Sequence, residues 1–204
     1  MDPDFLAVLD AYQERAQEEP TKGREPRRRD KQKATKGRHV TAAALETARF
    51  IHILAASLHA PHILELGTSD GYATLWLAQA ARAARGRVTT MELHDDKSAY
   101  AREMASRAGL ASYVDFKVGN AVALIEDMSI KPDFVFLDLW KDLYVPCLDA
   151  FYPKLNPGAI IVADNMIRPG GENAWRYIRA VRAKPGMTSL SVPVGSGLEI
   201  SRYR

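Results

Sequence analysis

One cysteine, Cys147, stands in a chain of 204 residues. A lone cysteine excludes an internal disulfide and suits a reducing cytoplasm. No uninterrupted apolar run reaches about 18 residues, so no membrane-spanning helix is expected. The N-terminal MDPDFLAVLDAYQERAQEEP is acidic and polar, unlike a secretory signal. The five histidines show no metal-ligand spacing; His59 and His62 flank the Ala60-Pro61 turn and read as helix-end surface. Aromatic residues are missing from the whole stretch 22–38, KGREPRRRDKQKATKGR, which holds nine Lys/Arg against two acids. With so little apolar character, that stretch cannot bury itself as a core helix. The remainder is of globular composition: 47% hydrophobic and 26% charged, over a length that suits one domain with a full core.

Residues 4–18 place Phe5, Leu6, Leu9 and Tyr12 at helical spacing. Pro20 and the basic stretch interrupt the pattern. Thr41 is a candidate N-cap for a second helix over 42–59, stopped by Pro61. Short β-like runs then alternate with helical segments. The runs are 62–66, 87–92, 114–118, 133–138 and 159–164; the helical segments are 71–84, 95–108, 120–128, 142–153 and 172–183. Such alternation predicts a parallel sheet with helices on both faces. The end differs: TSLSVPVGSGLEISRY reads as two strands joined at Gly195-Ser196-Gly197, an antiparallel hairpin. The expected fold is α/β, with seven strands in a mostly parallel sheet. Residues 1–39 form an N-terminal helix and a basic lid or linker, and 40–204 form the main domain.

In open α/β sheets, ligands bind beyond the carboxyl ends of strands near the switch point. The first such end reads ILELGTSDGY, residues 63–72. A dinucleotide fingerprint is G-x-G-x-x-G, with a pyrophosphate on the backbone amides. Here the glycines are spaced G-x-x-x-G, the middle one is missing, and Asp70 would sit against any phosphate. These features suit a ligand that carries cationic groups and no phosphate. S-adenosylmethionine has a sulfonium and an ammonium, and a carboxylate near its amino-acid end can pair with the ammonium. The loop residues Glu65, Gly67, Thr68, Ser69, Asp70 and Tyr72 are assigned to this donor. At the second strand end, Glu92, followed by Leu93, is placed to accept hydrogen bonds from ribose hydroxyls. At the third, Gly119, Asn120 and Ala121 form a turn that borders an adenine.

The fourth and fifth strands both end in Asp, in FLDLWKDLY and IIVADNMIR. Asp138, Asp164 and Asn165 converge if these strands are neighbours. Hard cations such as Mg²⁺ take this oxygen set and keep positions for water or substrate. A cation also removes the repulsion between two adjacent carboxylates. The plain alternative is that each acid caps the helix after its strand.

With these motifs in hand, the chain from about 36 to 204 resembles the metal- and S-adenosylmethionine-dependent O-methyltransferases, closely the catechol O-methyltransferase family. The strings that carry the likeness are ILELGTSDGYATLWLA, VTTMEL, VFLDLWKDLY, ADNMIRPG and, more loosely, GSGLE. The resemblance implies a Rossmann-like class I methyltransferase fold. It implies metal binding by Asp138, Asp164 and Asn165, and a catalytic lysine at Lys141. Glu92 matches the family's ribose acid, and Glu65 and Gly67 belong to its donor loop. Trp140 matches a tryptophan beside donor and acceptor, and Asp138 is also counted among the donor-binding residues. There are departures. Leu139 stands where the family has a histidine. The segment RRRDKQKATKG, where the family's substrate gate carries a tryptophan and a methionine, has no aromatic residue, and a glutamate that borders the family's catechol pocket falls near Leu190.

These features predict a Mg²⁺-dependent enzyme that methylates one hydroxyl of a small aromatic vicinal diol. The basic stretch, read as a lid, favours an acidic acceptor. A methyltransferase of a hydroxylated tRNA base is the weaker alternative, since no aromatic residue in the basic stretch is there to stack on bases. A non-catalytic donor-binding protein is the third reading. A cytoplasmic monomer or homodimer without membrane attachment is expected.

Overall fold

A computed structural model of the chain describes residues 2–18 and 42–204. The basic stretch 22–38, the acidic-acceptor expectation built on it, and the Thr41 cap lie outside the described residues. The seven strands are β1 (His62–Leu66), β2 (Arg87–Glu92), β3 (Val114–Val118), β4 (Phe134–Leu137), β5 (Ile160–Ala163), β6 (Met187–Val192) and β7 (Leu198–Tyr203). They form one sheet in the order β3-β2-β1-β4-β5-β7-β6. Strands β1 to β5 pair in parallel, and β7 runs antiparallel to both β5 and β6. The mostly parallel sheet and its antiparallel end are as the sequence predicts.

Seven α-helices are described: α1 (Pro3–Glu18), α2 (Ala42–Ala56), α3 (Tyr72–Ala84), α4 (Asp95–Arg107), α5 (Ala121–Glu126), α6 (Tyr144–Phe151) and α7 (Glu172–Ala183). Strand side chains alternate between faces, and this splits the core in two. Ile63, Val88, Phe134, Phe136 and Val162 meet buried residues of α1 to α4. Leu64, Leu66, Met91, Val135, Leu137 and Ile161 meet α5, α6 and α7. Both faces are covered, so the central strands are apolar almost throughout.

Two local features differ from the sequence expectation. The helix expected over 142–153 is an α-helix over Tyr144–Phe151 with a 3-10 turn at each end, Lys141–Leu143 and Tyr152–Lys154. Pro146 is tolerated because it lies in the first turn of α6, whereas Pro153 has no N–H to continue the helix. The N-terminal helix, set apart from the main domain by sequence, buries Phe5, Val8 and Tyr12 in the same core as α3 and α4. Their spacing lays one stripe of α1 on the domain.

The chain leaves β1 for β2 on one side and returns to β4 on the other, so β1 and β4 flank the switch point. Gly67 closes that point. Its φ is 101°, and a Cβ there would lie 2.3 Å from the Asp138 carbonyl oxygen. The Gly67 amide donates to the Met91 carbonyl at 2.9 Å, and the Asp138 amide donates to the Leu66 carbonyl at 2.9 Å. Only glycine satisfies both the backbone angle and the close approach. Gly67→Ala is expected to destabilise the fold by about 2 kcal/mol or more. Differential scanning calorimetry should show a fall in melting temperature of about 4–8 °C; an unchanged value would refute the role of this contact.

Candidate functional site

Strand register decides which residues meet. Leu66 pairs with Met91 on one side and Leu137 on the other, and Leu137 pairs with Ala163. The next residues along these strands, Gly67, Glu92, Asp138 and Asp164, therefore stand in a row at one edge of the sheet. A cleft of about 270 Å³ opens at this edge. Of the residues expected at a donor site, Gly67, Ser69, Glu92, Leu93, Asn120, Ala121, Asp138 and Trp140 line it. Met91, His94, Lys97, Gly119, Leu139 and Leu143 complete the wall.

Glu92 is buried, with its carboxylate fixed from two sides. Oε2 accepts the Ser69 amide at 2.8 Å, and Oε1 accepts the His94 amide at 3.1 Å. Each oxygen keeps acceptor capacity for a further hydroxyl. Asn120 also caps α5, where its Oδ1 accepts the Ala123 amide at 3.2 Å. Trp140 is 69% exposed at the cleft rim, unusual for so large an apolar side chain.

Glu65, Thr68, Asp70 and Tyr72 do not line the cleft. The alternation of β1 turns Glu65 toward α3, where it is fully buried. Its Oε2 accepts from Thr74 Oγ1 at 2.5 Å and Thr90 Oγ1 at 2.6 Å. Its Oε1 has no partner. Thr68 Oγ1 joins the same network through Thr90 Oγ1 at 2.5 Å. Asp70 offers its backbone carbonyl to the Tyr12 hydroxyl. The Tyr72 ring packs on Tyr12, with centroids 5.6 Å apart.

Asp138, Lys141, Asp164 and Asn165 come together beside the cleft. Lys141 Nζ lies 2.9 Å from Asn165 Oδ1 and 3.8 Å from Asp138 Oδ1. Asp164 is buried, and its Oδ1 accepts the Asn165 amide at 2.6 Å. Asn165 has a φ of 58°, in the left-handed region that asparagine tolerates. Burial and then the charge of Asp138 push the Asp164 carboxyl up to about 7, against the Asn165 amide and Lys141. The surrounding protein raises Asp138 as well, and Lys141 opposes it. Burial lowers Lys141, against the pull of both carboxylates. Among the described residues no three His, Cys, Asp or Glu side chains cluster as a metal centre. Two carboxylates and one amide oxygen are nevertheless a donor set for a hard cation. Such a cation would relieve the repulsion that raises Asp164.

Tyr144 received no role from sequence. It is fully buried at the start of α6. Its hydroxyl accepts from Lys141 Nζ at 2.6 Å and donates to the Leu137 carbonyl at 2.9 Å. The lysine nitrogen is thereby tied to the end of β4. The signal was available, since residues three apart on a helical start are neighbours.

The family model for O-methyltransferase matches residues 14–174. The chain is 36% identical over 131 residues to a catechol O-methyltransferase of Mycobacterium tuberculosis, covering 64% of this chain and 59% of that one. It is 37% identical over 126 residues to a catechol O-methyltransferase of Niastella koreensis, covering 60% of this chain and 57% of that one. The chain thus spans less than two thirds of the length of these curated relatives. Among solved structures, cofactor-bound Rv0187 from MTB superposes with a TM-score of 0.77 at 29% identity, covering 100% of this chain and 91% of that one.

The Glu65 geometry sets a pH dependence. Burial, opposed by the two threonine hydroxyls, raises its carboxyl from 4.5 to about 8. The folded state then holds a proton that the unfolded state releases, so stability falls as pH rises through this window and levels off above it. Glu65→Gln removes the effect. The variant should gain on the unaltered protein by about 1.4 kcal/mol per pH unit between pH 6 and pH 8. Denaturant titrations at several pH values measure this, and a constant difference would contradict a neutral Glu65.

Proposed function

The chain belongs to the O-methyltransferase family, and we propose that it transfers a methyl group from S-adenosylmethionine to one hydroxyl of an aromatic vicinal diol, with a divalent cation such as Mg²⁺. The observation that carries this reading is the convergence of Glu92, Asp138, Lys141, Asp164 and Asn165 at the switch-point edge of the sheet. The names of the two catechol O-methyltransferase relatives support the acceptor class.

Glu92 takes the ribose hydroxyls of the donor, pre-oriented by the Ser69 and His94 amides. Gly67 lets the ligand approach the backbone, Asn120 and Ala121 border the base, and Trp140 forms a wall shared by donor and acceptor. Glu65, Thr68, Asp70 and Tyr72 shape the donor loop from behind. Asp138, Asp164 and Asn165 would hold the cation, which when bound lowers the pKa of the diol hydroxyls and orients them. Lys141 accepts the proton of the attacking hydroxyl. Burial favours the neutral amine that this step needs. Tyr144 keeps the nitrogen in place. The hydroxyl oxygen bonds to the methyl carbon as the carbon–sulfur bond breaks. The sulfonium leaves as a neutral thioether, and the proton ends on Lys141.

Three substitutions separate these roles. Glu92→Ala should weaken donor binding by about 1.5–3 kcal/mol, the range for hydrogen bonds to a charged group. Lys141→Ala and Asp164→Asn should instead lower kcat by about a hundredfold or more and leave donor affinity nearly unchanged. Calorimetric titration with S-adenosylhomocysteine, beside turnover of 3,4-dihydroxybenzoate, measures both. Loss of donor binding in the Lys141 and Asp164 variants, with Glu92→Ala unaffected, would reverse the assignment.

A further inference from the structure

We infer that Tyr12 is a positioning residue of the donor site, its hydroxyl holding the β1–α3 loop in the shape that fixes Glu92. This rests on the donor reading above. Tyr12 lies on α1, two residues before the matched family region begins.

The loop from Gly67 to Gly71 carries Ser69, a non-glycine residue, at a φ of 49°. Backbone of this kind persists only where the surroundings over-determine it. Ser69 and Asp70 are held at both ends. The Ser69 amide donates to Glu92 Oε2 at 2.8 Å. The Asp70 carbonyl accepts from the Tyr12 hydroxyl. The Gly71 amide closes the turn on the Thr68 carbonyl at 2.8 Å. Glu92 and Tyr12 thus each hold one residue of this dipeptide. Without the hydroxyl, the peptide between Asp70 and Gly71 loses its outer anchor. The Ser69 amide is then less well aimed at the carboxylate that takes the ribose.

Tyr12 is itself fixed. It is 4% exposed, and the rings of Tyr72 and Tyr100 meet it edge-on at 5.6 and 6.1 Å. Such contacts hold an aromatic ring in one orientation and leave its hydroxyl a single direction. The anchor of α1 lies elsewhere, where Phe5 packs edge-on against Trp76 at 5.3 Å. A contribution to helix docking can therefore be separated from a contribution to the loop.

The test is the dissociation constant for S-adenosylhomocysteine, measured by calorimetry on the full chain and read beside the melting temperature without ligand. Tyr12→Phe keeps the ring and removes the hydroxyl. It should weaken binding about fivefold, with a fall in melting temperature of no more than about 2–4 °C, the worth of one neutral hydrogen bond. Phe5→Leu loosens the helix away from the loop, and should lower the melting temperature while leaving the dissociation constant unchanged. Unchanged binding by Tyr12→Phe would overturn the inference. Equal weakening by Phe5→Leu would also overturn it, because helix packing and not the hydroxyl would then be responsible. No binding by the unaltered protein would overturn the donor reading and this inference with it.

Discussion

The exit of β1 passes so close to β4 that residue 67 can bear no side chain. That contact sets how the four central strands end. With Gly67 against the Asp138 carbonyl, and its amide on Met91, the ends of β1, β2 and β4 are locked in register. The ladder between β4 and β5 brings Asp164 to the same edge. The side chains that carry the proposed chemistry stand at one edge because this register ends the central strands side by side. A rigid sheet edge of this kind positions groups better than a free loop does.

Gathering carboxyl groups at one edge has an electrostatic cost, and each is met differently. Glu92 accepts two backbone amides, one on each oxygen. Glu65, in an apolar layer with one oxygen orphaned, is held near neutral by burial. Asp138 and Asp164 share Lys141, and the charge of Asp138 raises Asp164. Asp164 stays raised despite Lys141, and this pair is the one proposed to hold the cation. The same surroundings lower Lys141, so one arrangement would serve both the proposed cation site and the proposed base.

Much of this was legible because it is local. Strands β1, β2 and β3 fall on the expected residues, since each is a short β-prone run that ends at a glycine or a charged turn. Acids at strand ends stand out against those runs, so Glu92, Asp138 and Asp164 could be picked before any contact was known. What escaped depends on distant partners. The threonine network that takes Glu65 away from the cleft joins residues of β1, β2 and α3. The Tyr12 bond to Asp70 spans 58 positions. Helical spacing marked Tyr12 as a buried face, and a buried face does not say which carbonyl its hydroxyl meets. Tyr144 was hidden differently: its apolar neighbours in YVPCLDAF make it look like ordinary core.

The central claim is that this edge methylates an oxygen of a cation-held diol. Incubation with methyl-labelled S-adenosylmethionine and 3,4-dihydroxybenzoate, with Mg²⁺ or with chelator, tests it most directly by mass spectrometry of the product. The account predicts one labelled methyl group on one ring oxygen. It also predicts that the product disappears in chelator and returns when Mg²⁺ is restored. Equal labelling in chelator, or no labelled diol while the protein binds S-adenosylhomocysteine, would contradict it.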